Sequence, residues 1–294
     1  MDPFSDAGEL FGIHSLFYQG AYKEVIDQSL AGYSDTAMTQ ARVYHYRAQI
    51  ALGGAEQVVA ELEDTENDAS LAAVKALALY KAGETESALE LVEELAETAS
   101  DEQNVQVLGA IVLYLDGKVE DALLLLSKHE GNLAAVALIV QIRLAQNKID
   151  QAMKEVQIAK KWGQDNLLVN LSEAWVDLQL GGDKYQDAFY IYEELAQTPS
   201  SSNARTFVGQ AIANIQLGRM PEAEDALESA LERDSSSPDV LVNAIVLYTL
   251  LGKDYSAYLE KLSAEHENTA FLVDLKEKED LFDTCAVQYT SLVV

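Results

Sequence analysis

Residues 204–264 read ARTFVGQAIANIQLGRMPEAEDALESALERDSSSPDVLVNAIVLYTLLGKDYSAYLEKLSA, which is one unit written twice. Phe207, Ala211, Gly218, Ala223, Leu227 and Ala230 mark the first copy. Leu241, Tyr248, Gly252, Ala257 and Ala264 mark the second. Gly218 to Gly252 spans 34 residues, and so does Ala223 to Ala257. Phe207, Ala211, Ile215 and Leu217 fall on one helical stripe. Gly218 stops that helix, because glycine enters the left-handed cap without a Cβ clash. Pro221 starts the next helix, where its missing N–H costs nothing. Ala223, Leu227, Ala230 and Leu231 then follow the i, i+4, i+7, i+8 spacing of a second apolar face. Small Ala223 and Ala230 let the two helices approach closely, and Pro238 opens the following unit.

The same frame extends backward through the chain. Turn residues recur at Gly20, Gly53/Gly54, Gly83, Gly117, Asn147, Gly181/Gly182, Gly218 and Gly252, spaced 30 to 37 residues apart. A helix–turn–helix unit of this length is the tetratricopeptide repeat. The spacing predicts an all-α, right-handed superhelical solenoid of about eight such hairpins. Each second helix begins at a small residue: Ala88, Ala122, Ala152, Ala188, Ala223 and Ala257. Val25 and Val58 take that place in the first two units, a weaker match of the kind that terminal repeats show. Polar connectors at 64–68, 100–103, 163–166 and 198–203 separate units, and none is long enough to divide the chain. The expected organisation is therefore one domain, with residues 1–267 as the solenoid and 268–294 as a capping helix and tail. Phe271, Leu275, Phe282, Cys285, Ala286 and Tyr289 form the stripe expected to cover the last hairpin, with Cys285 as a small buried hydrophobe.

Composition narrows the function. Of 294 residues, 49% are hydrophobic, enough to fold, and prolines number only four. Twenty basic against 49 acidic residues give a net charge of −29. Such a surface repels phosphate backbones and anionic headgroups, so neither nucleic-acid binding nor membrane insertion is expected. It favours a partner with a basic surface. The single cysteine excludes an internal disulfide and fits a reducing compartment. The acidic start, Met1 to Glu9, lacks the apolar segment of a signal peptide. Asn170-Leu171-Ser172 matches a glycosylation sequon by chance on this reading.

Chemistry is conspicuous by its absence. His14, His45, His129 and His266 fall in different units, without the paired spacing of a zinc site. No Walker loop, no GxGxxG after a strand and no GxSxG occurs. Acidic runs such as Glu84 to Glu97 and Glu222 to Asp234 spread over solvated helix faces. The expectation is no catalytic residue, no cofactor and no metal.

The informative feature lies on the first helices, which line the concave surface in this repeat. Counting from Ala204 as position one, positions two, five, nine and twelve are Arg205, Val208, Ile212 and Ile215. The next unit gives Asp239, Val242, Val246 and Thr249; the preceding one gives Leu168, Leu171, Trp175 and Leu178. The unit from Gln103 gives Asn104, Val107, Ile111 and Tyr114. Positions facing water in this frame are mostly apolar, which marks a binding groove. A register one residue off would instead make them core residues. Repeats that clamp a peptide carboxylate carry Lys and Asn at positions five and nine, where this chain has Val208 and Ile212.

Specific strings carry a further resemblance. Leu171-Ser-Glu-Ala-Trp-Val-Asp-Leu-Gln-Leu-Gly-Gly-Asp-Lys-Tyr-Gln-Asp-Ala-Phe-Tyr-Ile-Tyr-Glu-Glu-Leu195 is similar to a segment of the epsilon-subunit family of coatomer. So are Gly209-Gln-Ala, Leu217-Gly-Arg, Glu222-Ala-Glu, Ala230-Leu, Asp234-Ser and Asn243-Ala-Ile-Val-Leu, and the ending Lys276-Glu-Lys-Glu-Asp-Leu-Phe-Asp with Gln288-Tyr289. The similarity runs from Glu9-Leu-Phe to the C-terminus, and is weaker before about residue 130.

The resemblance implies a non-catalytic subunit of the COPI vesicle coat. It implies action in retrograde Golgi-to-endoplasmic-reticulum and intra-Golgi transport, from the cytoplasm and peripherally on Golgi membranes and coated vesicles. It implies binding to the C-terminal domain of the alpha coatomer subunit, and contact with other coatomer subunits only indirectly. The apolar groove positions counted above are the partner-binding residues expected: Val107, Ile111, Tyr114, Leu171, Trp175, Leu178, Val208, Ile212, Ile215, Val242 and Val246. Two other classes stay open on the residues alone: a repeat adaptor that binds peptides, such as a co-chaperone, and an enzyme built on a helical array.

Overall fold

Capping explains where the helices begin. In the computed structural model, which describes residues 6–62, 68–164, 166–197 and 202–290, asparagine and aspartate recur just before first helices. Asp68 accepts from the amides of Ser70 and Leu71, Asn132 from those of Ala134 and Ala135, and Asn203 from that of Thr206. These bonds satisfy donors that a helix N-terminus leaves open. Pro221 and Pro238 sit in the first turns of their helices. The chain leaves most first helices through a left-handed residue, among them Gly83 (φ 94°) and Gly252 (φ 65°). Asn147 (φ 57°) is the sole non-glycine with positive φ among the described residues, and asparagine tolerates that region better than most side chains.

Among the described residues, a short α1 (Asp6–Glu9) precedes eight hairpins in series. They are α2 (Phe11–Gln19) with α3 (Tyr22–Asp27), α4 (Asp35–Ala51) with α5 (Ala55–Glu61), and α6 (Ala69–Ala82) with α7 (Thr85–Thr98). Then come α8 (Ala110–Leu115) with α9 (Val119–Leu126), α10 (Leu133–Ala145) with α11 (Ile149–Ala159), and α12 (Leu167–Leu180) with α13 (Lys184–Gln197). The last are α14 (Ala204–Gln216) with α15 (Met220–Arg233) and α16 (Pro238–Leu251) with α17 (Ser256–Glu265). The long α18 (Ala270–Thr290) follows. No strand occurs among the described residues. The fold is an all-α, TPR-like solenoid. One irregularity was not legible in the sequence: α8 is preceded by a π-helical stretch, Val105–Gly109.

Contacts divide the chain into two compact units: 1–191 with 198–201, and 192–197 with 202–294. In the first, the main core gathers Val58, Leu62, Val74, Ala88, Leu108, Ala122, Leu126 and Ile142, each nearly or fully sealed from solvent. At its N-terminal end Ile13, Phe17, Val25, Ala41, Tyr44 and Ala48 pack together, with the Arg47 guanidinium 4.3 Å from the Phe17 ring centroid. A third cluster joins Val136, Val140, Ala152, Val156, Val169 and Val176. In the second unit, Val208, Ala211, Ala223, Leu227, Ala230, Val240 and Leu247 form one cluster, and Leu241, Ile245 and Leu262 another.

The alanine frame holds from the third hairpin to the seventh: Ala88, Ala122, Ala152, Ala188 and Ala223 have no exposed surface. Val25 and Val58 are equally sealed in the first two. The eighth departs from it. Ala257 is exposed, and Leu262, with Tyr258 and Leu259, packs against α16 instead. A second correction concerns Cys285, which is exposed rather than buried. Helix α18 caps the last hairpin only at its start, where Phe271 and Leu272 pack on the Leu241–Leu262 cluster; Phe282 and Tyr289 of the same stripe lie in solvent.

Candidate interaction surfaces

The first helices grade from inside to outside along the expected contact positions. At position five, Val107 and Val208 are buried in their cores, while Leu171 and Val242 are half-buried. At position nine, Ile111, Trp175 and Ile212 are half-buried and Val246 is 38% exposed. At position twelve, Tyr114, Leu178 and Ile215 are half-buried. Within the first unit, Ile111 and Tyr114 rest on the main core and Trp175 on the Val136–Val176 cluster. Within the second, Ile212 and Ile215 rest on the Val208–Leu247 cluster and Val242 on the Leu241–Leu262 cluster. Ile111, Tyr114, Trp175, Ile212, Ile215 and Val242 are thus packed on a core on one side and partly open to solvent. A residue held this way presents apolar surface with little rotamer entropy left to lose on binding.

Position two holds something that periodicity alone did not disclose. Gln40, Ser70 and Asn104 occupy it in three successive hairpins. Asn104 Nδ2 donates to Gln40 Oε1 at 2.7 Å and to Ser70 Oγ at 3.1 Å. Ser70 Oγ donates onward to Glu102 Oε1 at 2.8 Å. Ser70 and Asn104 are buried, so this is a closed polar ladder stitching α4, α6 and the fourth hairpin. Aligning position two across units is the signal that finds it.

Charge gathers at the sixth turn. Asp177 on α12 is 4% exposed, and its Oδ1 lies 3.8 Å from Lys184 Nζ at the start of α13. Its Oδ2 has no hydrogen-bond partner. Burial pushes the carboxyl up to about 6, and the Lys184 charge opposes that rise. Lys184 also pairs with Asp187 at 2.7 Å.

Three of the histidines have structural partners. His45 Nε2 donates to the Ile26 carbonyl at 3.1 Å and His266 Nε2 to that of Ser236 at 2.7 Å. The His14 ring lies tilted against Tyr18 at 4.7 Å and edge-on to Tyr44 at 5.9 Å, where burial and the Arg47 charge lower its pKa. Among the described residues no three His, Cys, Asp or Glu side chains gather as metal ligands, and no helix is long and apolar enough to cross a membrane.

The sequence pattern of the coatomer epsilon subunit family matches residues 6–290. Coatomer subunit epsilon of Caenorhabditis elegans is 33% identical over 291 residues, covering 95% of this chain and 98% of that protein. Probable coatomer subunit epsilon of Schizosaccharomyces pombe is 32% identical, covering 97% and 96%. Coatomer subunit epsilon-1 of rice, Oryza sativa subsp. japonica, is 32% identical, covering 93% and 96%. Among solved structures, the APC/C hetero-tetramer Cut9-Hcn1 aligns with a TM-score of 0.62 at 15% identity, over 90% of this chain and 54% of that one. A tetratricopeptide repeat protein from Parabacteroides merdae aligns with a TM-score of 0.60 at 12% identity, over 87% and 97%. At those identities the structural likeness speaks for the fold alone.

Proposed function

The chain belongs to the coatomer epsilon subunit family, and from that premise we propose that it is a non-catalytic COPI subunit that holds the C-terminal domain of the alpha subunit. In that role it contacts other coatomer subunits only through the alpha subunit. It acts from the cytoplasm, peripherally on Golgi membranes and coated vesicles, in retrograde Golgi-to-endoplasmic-reticulum and intra-Golgi transport. It neither enters the membrane nor binds nucleic acid, as the net charge of −29 favours.

One observation carries the reading: position nine is apolar and partly exposed in each unit, at Ile111 and Trp175 in the first and at Ile212 and Val246 in the second. Tyr114, Leu171 and Leu178 accompany it in the first unit and Ile215 and Val242 in the second, while Val107 and Val208 are buried in their own cores. An obligate partner gains about 25 cal/mol for each Å² of apolar surface taken from water. Truncating a central tryptophan such as Trp175 is expected to cost on the order of 2 kcal/mol of binding or more.

Copurification tests it. The wild-type chain should bring down the alpha subunit in equal amount, whereas a peptide adaptor or an enzyme would not. Ile212→Asp combined with Trp175→Ala should abolish that recovery while the isolated chain keeps its helical circular dichroism. A double variant that folds and still binds normally would end the proposal.

A further inference from the structure

Helix α18 is anchored at one end and exposed along the rest. Its first turn is fixed by Phe271 and Leu272 on the last core cluster. From residue 276 to 289 every side chain is exposed. Four large apolar ones stand in water: Leu281 at 60%, Phe282 at 71%, Val287 at 73% and Tyr289 at 65% exposure. Phe282, Cys285 and Tyr289 follow the i, i+3, i+7 spacing of one helix face, the pattern of a helix that lays anchors into a groove. A stretch of the length of its exposed part, residues 276–289, is marginal as an isolated helix in water, and most helices owe their stability to packing of an apolar face.

Charge selects what covers it. Between 274 and 283 the helix carries Asp274, Glu277, Glu279, Asp280 and Asp283 against Lys276 and Lys278, so its polar faces are net acidic. A second copy of this chain would bring the same acidic flanks and another −29 charges, so self-pairing is opposed. Anionic lipid is repelled for the same reason, since interfacial helices rely on basic polar faces. An apolar groove with a basic rim satisfies both faces at once.

We propose that residues 281–289 dock as an amphipathic helix into an apolar, basic-rimmed groove of the same partner subunit. The first-helix residues and α18 then act as separate holds on one partner. This rests on the alpha-subunit reading above, and the test separates the two.

Cys285, the chain's single cysteine, is exposed on the proposed face and serves as the reporter. A maleimide should label it at a free-thiol rate in the isolated full chain. In the purified complex with the alpha C-terminal domain, labelling of this chain, read by mass, should slow tenfold or more. Phe282→Glu with Tyr289→Glu should leave the melting temperature and helical signal unchanged. It should weaken binding of the alpha domain tenfold or more in a titration and restore fast labelling in whatever complex remains. Fast labelling in the wild-type complex, or equal affinity of the double variant, overturns the α18 proposal and leaves the first-helix reading standing. Slow labelling in the isolated chain overturns it too, because the helix then covers itself or a second copy; sedimentation tells which. If the wild-type chain binds no alpha domain at all, the partner reading fails and takes this proposal with it.

Discussion

Gly209 lies directly against the ring of Tyr192: a Cβ built on it would sit 2.2 Å from Tyr192 Cε1 and 2.5 Å from Cζ. Both residues are buried within the second unit, and Gly209 is in the middle of α14. A glycine there weakens the helix by roughly 0.5–1 kcal/mol relative to alanine. The close approach of α13 is what offsets that cost.

Gly209→Ala therefore tests packing against propensity. Propensity alone makes the alanine variant more stable. The 2.2 Å contact makes it less stable, because the Tyr192 ring has to move out of a dense core, at a cost of about 1–3 kcal/mol. Chemical denaturation should show a lower midpoint. A raised midpoint would mean that α13 and α14 are more loosely packed than described.

Ala223→Trp should be worse. Ala223 has no exposed surface and belongs to the core of the second unit with Leu227, Ala230 and Leu247. Interiors at crystal-like density have no room for an indole. The expected loss is at the upper end of about 1–3 kcal/mol or beyond, seen as a lower melting temperature. An unchanged one would undo the alanine frame.

That frame was the most legible part of the molecule. Gly83, Gly117, Asn147, Gly218 and Gly252 announced the turns because only a few residue types tolerate positive φ. Ala88, Ala122 and Ala152 announced the second helices because close helix approach needs small side chains. Burial along a first helix was less legible. Val107 and Ile111 are both apolar, yet one is sealed and the other half-open; the sequence period gives a face, and the neighbouring hairpin decides how deep each position lies. Cys285 was misread for a related reason. Its stripe on α18 is as apolar as a core stripe, and pattern alone does not say whether the opposing surface is in the same chain. The π-helical turn at Val105–Gly109 leaves no mark either, although Gly109 allows Leu125 and Val92 to come close, 3.1 and 3.4 Å from where a Cβ would be.

The carboxyl of Asp177 makes a prediction with a definite sign. Its ordinary value of 3.8 rises to about 6 in the folded chain. A raised carboxyl means that the folded state resists the charged form. Asp177 therefore adds no penalty below the unfolded value of 3.8; the penalty builds as pH climbs from there to about 6 and is complete above it. Glu173 and Asp187 add to the rise while Lys184 and Lys160 restrain it. Asp177→Asn should be more stable than wild type at pH 7.5, by no more than about 3 kcal/mol for a shift of this size. The advantage should shrink to nothing near pH 4. Melting both proteins across that range isolates this group from the other carboxylates. A variant less stable at pH 7.5 would show that the Lys184 ion pair outweighs desolvation.

The ladder of Gln40, Ser70 and Asn104 offers the last test, because it is local in a repeat array. Asn104 is 7% exposed and donates to both other members, while Gln40 Nε2 returns a longer bond of 3.4 Å to Asn104 Oδ1. Replacing Asn104 by alanine leaves the carbonyl oxygen of the half-buried Gln40 side chain without its donor and removes one bond from buried Ser70. Leaving buried polar groups unsatisfied costs about 1–3 kcal/mol. Gln40→Ala with Asn104→Ala should then cost less than the sum of the singles, with a coupling of roughly 0.5–3 kcal/mol. Stability in such arrays is close to a sum of units and nearest-neighbour interfaces. Hydrogen exchange in Asn104→Ala should accordingly speed up in α4, α6 and the fourth hairpin and stay unchanged in α14 and α15. If α14 and α15 open equally fast, the array melts as one block, and the ladder is not a local fastener.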